Sequence, residues 1–149
     1  MPSQFAVLVD PDRYDVKTAS RVLDHDTWTV QNAEKAHVGD RILFWQTKNR
    51  HSNRGIVAFG VVTEEAAKRV APPESRPYFR DPFAANELQL RIVVRYVAVA
   101  NVPMWLGQGE TGTLSSLTVS RGRGRSLFNV TTEQWDAVVA MAGGWPHNL

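Results

Sequence analysis

Apolar residues along this chain gather in short runs separated by turn-forming residues, a rhythm closer to strands than to long helices. Residues 5–9 form one such run, closed by Asp10-Pro11-Asp12, and predict a buried strand ending in a turn. Residues 13–23 place Tyr14, Val16, Ala19, Val22 and Leu23 near helical spacing and predict a short helix. Residues 27–30 are rich in β-formers, and residues 32–36 fit one helical turn led by Asn32, a residue able to cap it. After a turn at Val38-Gly39-Asp40, residues 41–47 and 55–63 read as two strands of β-branched and aromatic residues. They predict an antiparallel hairpin whose polar tip spans residues 48–54.

The second half is less regular. Glu64/Lys68 and Glu65/Arg69 stand four apart and predict a helical turn over 64–70, the alternative being a solvated continuation of the strand. Residues 71–86 hold four prolines and no period, so they predict a long surface loop. Residues 88–99 predict a long strand, 101–112 a loop with Pro103 and three glycines, 114–119 a short element, and 127–130 a last apolar segment. Thr131 and Gln134 form a capping box ahead of Trp135, Val138, Val139 and Ala142 on one face, and Gly143-Gly144 ends that helix. Strands first with helices at the periphery predict an α+β domain around a mostly antiparallel, barrel-like sheet.

Length and composition agree with one domain. The 149 residues suffice for a single core, and 43% hydrophobic with 21% charged residues is an ordinary globular balance. With no cysteine there is no disulfide scaffold and no thiolate metal site. No basic stretch leads into an apolar one at the start, so no signal peptide is expected. The longest apolar runs fall well short of the ~20 residues that span a bilayer. A soluble, cytoplasmic protein without a membrane partner is the expectation. Net charge is only +2, but it is polarised. Lys48, Arg50, His51 and Arg54 form one basic group, Arg121, Arg123 and Arg125 a second, and residues 10–26 are acid-rich.

Catalytic signatures are weak. Asp24-His25-Asp26 suggests an acid–base trio, yet successive residues of a strand do not converge on one point. No histidine pair stands at helical i,i+4 spacing, and neither a serine elbow nor a Walker A loop is present. Gly107-Gln108-Gly109-Glu110-Thr111-Gly112 lacks the lysine of a phosphate loop and reads as a turn. No cofactor and no metal are expected. An enzyme acting on a nucleotide or metabolite would have to draw on Asp10, Asp24 or His25.

Aromatic residues offer more. Two of the five tryptophans, Trp28 and Trp45, flank the Gly39-Asp40 turn. Such rings are either core filler or the walls of a slot for a flat ligand. A slot for a nucleobase needs apolar plates, a polar group for the base edge and cations for phosphates. Trp28 and Trp45 could be the plates, Asn32 the reader, and Lys48, Arg50, Arg54, Arg121, Arg123 and Arg125 the phosphate contacts. Stacking contributes about 1–3 kcal/mol per base, while extruding a base from a duplex costs a few kcal/mol. Stacking alone therefore roughly breaks even, and phosphate contacts or an unpaired target are required. The proline-rich stretch between Pro72 and Pro82 supports a different use, as a docking segment for another protein.

The ordered set Trp28-x-x-x-Asn32, Val38-Gly39-Asp40-Arg41-Ile42-Leu43-Phe44-Trp45 and Arg54-Gly55-Ile56-Val57-Ala58-Phe59-Gly60 resembles the EVE domain, a PUA-like family related to YTH domains. Arg91-Ile92-Val93-Val94-Arg95-Tyr96 and Phe128-x-Val130-Thr131-x-x-Gln134-Trp135 are similar to the family's C-terminal half. The resemblance implies a small curved β-barrel with peripheral helices and non-catalytic recognition of a modified base in DNA or RNA. It also implies an aromatic cage of Trp28 and Trp45, with Asn32 beside them and Trp105 as a further closing ring. A separate effector protein would act on what such a reader finds. The chain departs from the family where Val9-Asp10-Pro11-Asp12 stands in place of a Lys-Ser-Glu-Pro-like strand end.

Overall fold

The computed structural model describes residues 2–47, 53–107, 112–122 and 127–146. Among these residues seven strands make one mixed sheet: β1 (Gln4–Val9), β2 (His25–Thr29), β3 (Arg41–Gln46), β4 (Gly55–Arg69), β5 (Gln89–Val97), β6 (Met104–Trp105) and β7 (Leu127–Asn129). Their order is β2-β5-β4-β3-β1-β7, with β6 added to β4. β1 runs parallel to β3, and the other pairs are antiparallel. Among the described residues four α-helices accompany the sheet: α1 (Val16–Val22), α2 (Pro82–Asn86), α3 (Thr113–Ser116) and α4 (Thr132–Met141).

Strand alternation divides the core in two. On β3, Ile42 and Phe44 enter one cluster with Val7, Trp28, Ile92 and Tyr96, while Leu43 and Trp45 enter a second with Phe59, Trp135 and Val138. The period of two along a strand sends neighbours to opposite faces, so each face gathers its own cluster. α4 covers the second face. Its capping box forms as expected: the Thr131 hydroxyl accepts from the Gln134 N–H, and Gln134 Oε1 accepts from the Thr131 N–H.

Three expectations change. Residues 64–69 are not a helical turn. They continue β4 and pair with β5, Glu64 opposite Val93 and Lys68 opposite Leu90. A row of ladder hydrogen bonds outweighs the few tenths of a kcal/mol, roughly, that an exposed i,i+4 pair supplies. Residues 71–86 are not a bare loop: a 3₁₀ segment (Pro73–Tyr78) and α2 order them. The barrel is not closed. Among the described residues the strand pairing ends at β2 on one side and β7 on the other. What joins these edges at one end is a side chain. Asn32, just past β2, accepts the N–H of Leu127 at the start of β7, 3.0 Å away. Its backbone is left-handed (φ 51°), a region asparagine tolerates better than most residues.

Candidate functional site

A cavity of about 870 Å³ opens along the seam, between β2 and the C-terminal ends of β1 and β3. Thr27, Trp28 and Thr29 form its β2 wall. Leu8, Val9 and Thr47 form the facing side, and the turn after β1 adds Asp10, Asp12, Arg13 and Tyr14. The proline-rich segment closes the third side with Phe79, Arg80, Asp81 and Ala84. The volume lies within the range of small-molecule pockets and is ample for a nucleotide.

The aromatic part of the wall is tightly fixed. Trp28 packs on Phe44 with ring centroids 4.8 Å apart, and Tyr14 meets Trp28 edge-on at 5.2 Å and Phe79 at 4.7 Å. Behind them stands Asp26, which is 1% exposed. It accepts from the hydroxyls of Tyr14 (2.5 Å), Tyr96 (2.6 Å) and Ser75 (2.9 Å) and from the Thr27 N–H (2.8 Å). Trp28 Nε1–H donates to the Tyr96 oxygen at 3.2 Å. One carboxylate thus ties together the sheet, the turn before α1 and the proline-rich segment. Burial pushes the Asp26 carboxyl above the usual carboxylate range, and its four donors offset only part of that effect. Burial, then the adjacent Asp26 carboxylate, holds the Tyr14 and Tyr96 phenols well above their ordinary value.

Arg91 is a second buried anchor. It is 3% exposed, and it donates to the carbonyls of Arg69 (3.0 Å), Ala84 (3.0 Å) and Glu87 (3.1 Å). It therefore clamps α2 against the ends of β4 and β5. Desolvation lowers its pKa, opposed by Glu87 and Asp26. On β2, the Thr27 and Thr29 Oγ1 atoms are buried with no hydrogen-bond partner among the described residues. Leaving such hydroxyls unpaired is costly, about 1–3 kcal/mol each.

Among the residues proposed for a base slot, Trp28 lines this cavity, and Asp10, named for the enzyme alternative, also stands in its lining. Trp28 and Trp45 do not flank one slot. Trp45 is 1% exposed in the opposite core cluster, because β3 turns Phe44 rather than Trp45 toward Trp28. Asn32 is not beside a base edge in this cavity; its carboxamide oxygen holds Leu127. Trp105 packs against the same cluster as Trp28 but outside the cavity lining, with Lys17 Nζ 5.6 Å from its ring centre. Arg54 is exposed, and Arg121 is exposed with its guanidinium on the Ser115 carbonyl at 3.0 Å. Lys48, Arg50, Arg123 and Arg125 lie outside the described residues. The Asp24-His25-Asp26 trio does not converge either: Asp24 and His25 pair at the surface (2.6 Å) while Asp26 points inward.

Sequence reasoning missed Tyr14, Phe79 and Arg91, and it named Asp26 only as part of the acid–base trio rather than as a buried anchor. The alternation of Asp26 and Trp28 on β2 was a usable signal for Asp26, since a charge in phase with a buried tryptophan is itself buried. Nothing local announces Tyr14 or Phe79, which meet across 65 residues through an isolated antiparallel bridge.

The described residues thus form an α+β domain with an aromatic-walled, polar-rimmed cavity beside its open sheet edge. The chain belongs to the EVE domain family, whose model matches residues 5–141. Solved structures similar to it include a hypothetical protein from Leishmania major (14% identity, 96% of this chain and 96% of that one, TM-score 0.62). A protein from Pseudomonas syringae is 20% identical over 94% of this chain and 99% of that one, with a TM-score of 0.61. Human THYN1, in complex with 5-methylcytosine-containing DNA, is 14% identical over 97% of this chain and 99% of that one, with a TM-score of 0.60. At these identities the likeness establishes the fold. No curated protein matches the sequence.

Proposed function

We propose that this chain is a non-catalytic reader of nucleic acid that takes one modified base into the seam cavity. The observation that carries the reading is the cavity wall itself: a tryptophan locked by Phe44, Tyr14 and Tyr96, beside two threonine hydroxyls that lack partners among the described residues. Trp28 is 9% exposed, so a flat base would rest on its open edge and on the half-buried Phe79 ring, and its polar edge would satisfy a threonine hydroxyl turned toward it by rotation about χ1. Arg13 and Arg80, both exposed at the rim, would meet flanking phosphates, together with Arg54, Arg121 and the basic segments at 48–50 and 123–125. Family membership supports this reading, as does the methylated DNA bound to human THYN1. The acids Asp10 and Asp12 at the rim replace the family's lysine-bearing strand end and would favour a base edge rich in donors. A separate effector protein would complete the function.

A panel of oligonucleotides differing only in one base modification tests the proposal. Tight binding of one member, with the ligand recovered unchanged, is the expected result. Trp28→Ala should then weaken binding by about tenfold or more, the stacking contribution of one base. Indifference to every modification would refute the reading.

A further inference from the structure

We infer that the seam cavity takes a base carrying a large, uncharged, hydroxyl-rich substituent, an inference that rests on the reading above and names the class of modification read. Size is the first observation. A cavity of about 870 Å³ lies near the upper end of the range that holds drug-sized molecules. A methylated pyrimidine is far smaller and would leave most of that space to water.

The lining changes character along the sheet. Tyr14, Trp28 and Phe79 form one aromatic group, and Glu87, Gln89 and Arg91 form a polar one. The strand register separates them. Trp28 stands opposite Ile92 on β5, and Thr29, the last residue of β2, stands opposite Arg91. Gln89 is three residues from Ile92 along β5, past the end of β2, so about 10 Å of strand lies between it and the Trp28 pair. A base resting at Trp28 and Phe79 with a one-carbon substituent covers only part of that span. A base bearing a sugar ring can cover it.

The chemistry of the polar group selects hydroxyls. Gln89 Nε2 donates to Glu87 Oε2, which holds the two side chains as a pair, and the Glu87 carbonyl is fixed by Arg91 at 3.1 Å. Among the described residues, Glu87 Oε1 and Gln89 Oε1 accept no hydrogen bond, and the buried Thr29 Oγ1 has no partner. Two acceptors and a hydroxyl suit a polyol, whose hydroxyls both donate and accept. A methyl group offers these atoms nothing. A phosphate or carboxylate would be repelled by the Glu87 carboxylate. An ammonium group gains less than that carboxylate suggests, because the Arg91 guanidinium already interacts with Glu87. A neutral group with several hydroxyls meets all three constraints.

The test measures binding of one DNA oligonucleotide carrying, at a single position, 5-methylcytosine, 5-hydroxymethylcytosine, glucosylated 5-hydroxymethylcytosine or 5-aminoallylcytosine. Wild type should prefer the glucosylated base over 5-methylcytosine by about tenfold or more, the equivalent of one or two hydrogen bonds to the polar group. Glu87→Ala and Gln89→Ala should each reduce that preference to about twofold. Glu87 is exposed, so the melting temperature of its variant should not move. Tightest binding of 5-methylcytosine or 5-hydroxymethylcytosine would overturn the inference and leave the reader intact. Tightest binding of 5-aminoallylcytosine would replace the hydroxyl class with a cationic one. A sugar preference that survives in both variants would remove Glu87 and Gln89 from recognition. Wild type that distinguishes none of the four bases would defeat the reader reading, and this inference with it.

Discussion

Asp26 does the work of a keystone, and its chemistry makes that testable. Asp26→Ala strands three hydroxyls that now share one acceptor and should destabilise the fold by about 3 kcal/mol or more, measured by urea unfolding. The pH dependence has a definite sign. The folded-state carboxyl titrates above its unfolded value, so its favourable contribution is complete below the ordinary carboxylate range. It declines as pH rises, because the unfolded chain ionises first, and it levels off above the raised pKa. Stability of wild type relative to Asp26→Asn should therefore fall across that interval, and a flat difference would contradict the burial argument. The two tryptophans separate in the same way. Trp45→Ala should cost roughly 3–5 kcal/mol by opening a core cavity. Trp45→Phe, which keeps most of the packing, should leave ligand affinity within about twofold, since ordinary core repacking stays local.

Residues 71–86 show how a stretch that reads as loop becomes a wall. Its composition forbids a sheet and discourages a long helix, so proline count alone predicts irregular chain. What orders it lies elsewhere: Ser75 on Asp26, Arg91 on Ala84 and Glu87, the Ala71 N–H on Ala85, and the bridge of Tyr14 with Phe79. Arg91→Met should release this segment without unfolding the sheet. Hydrogen exchange at Ala71 and Phe83 should accelerate by about tenfold or more, reflecting the loss of interactions with a charged donor. The hairpin of β3 and β4, the strand over β5 and the capped α4 were all legible, because each depends on neighbours in sequence. The extension of β4 and the seam were not. Both are settled by partners 20 to 95 residues away, as in Arg69 opposite Gln89 and Asn32 on Leu127. Trp28 and Trp45 are both buried, in separate core clusters, and that separation was not legible, since a lone tryptophan on a strand does not reveal which face it joins.

Charge on the whole molecule is nearly balanced, so long-range attraction to nucleic acid should come from local rims rather than net charge. Affinity should still fall with salt as phosphates displace counterions, with a slope that becomes shallower by about one unit in Arg80→Glu. A salt-independent affinity would remove phosphate contact from the proposed function. The joint at Asn32 and Leu127 offers a matching structural check. Asn32→Ala should loosen the seam and weaken ligand binding, although the side chain lies outside the cavity.

Trp28 is held by the Tyr96 phenol, which is fixed in turn by the carboxylate that secures three parts of the chain. Such a surface has nowhere to yield when a guest arrives. Recognition would then proceed without remodelling of the host, and its tempo would be dictated by how often the nucleic acid itself breathes. Capture from a mismatched or frayed site should accordingly be faster than from a perfectly paired one, while the rate of departure stays the same.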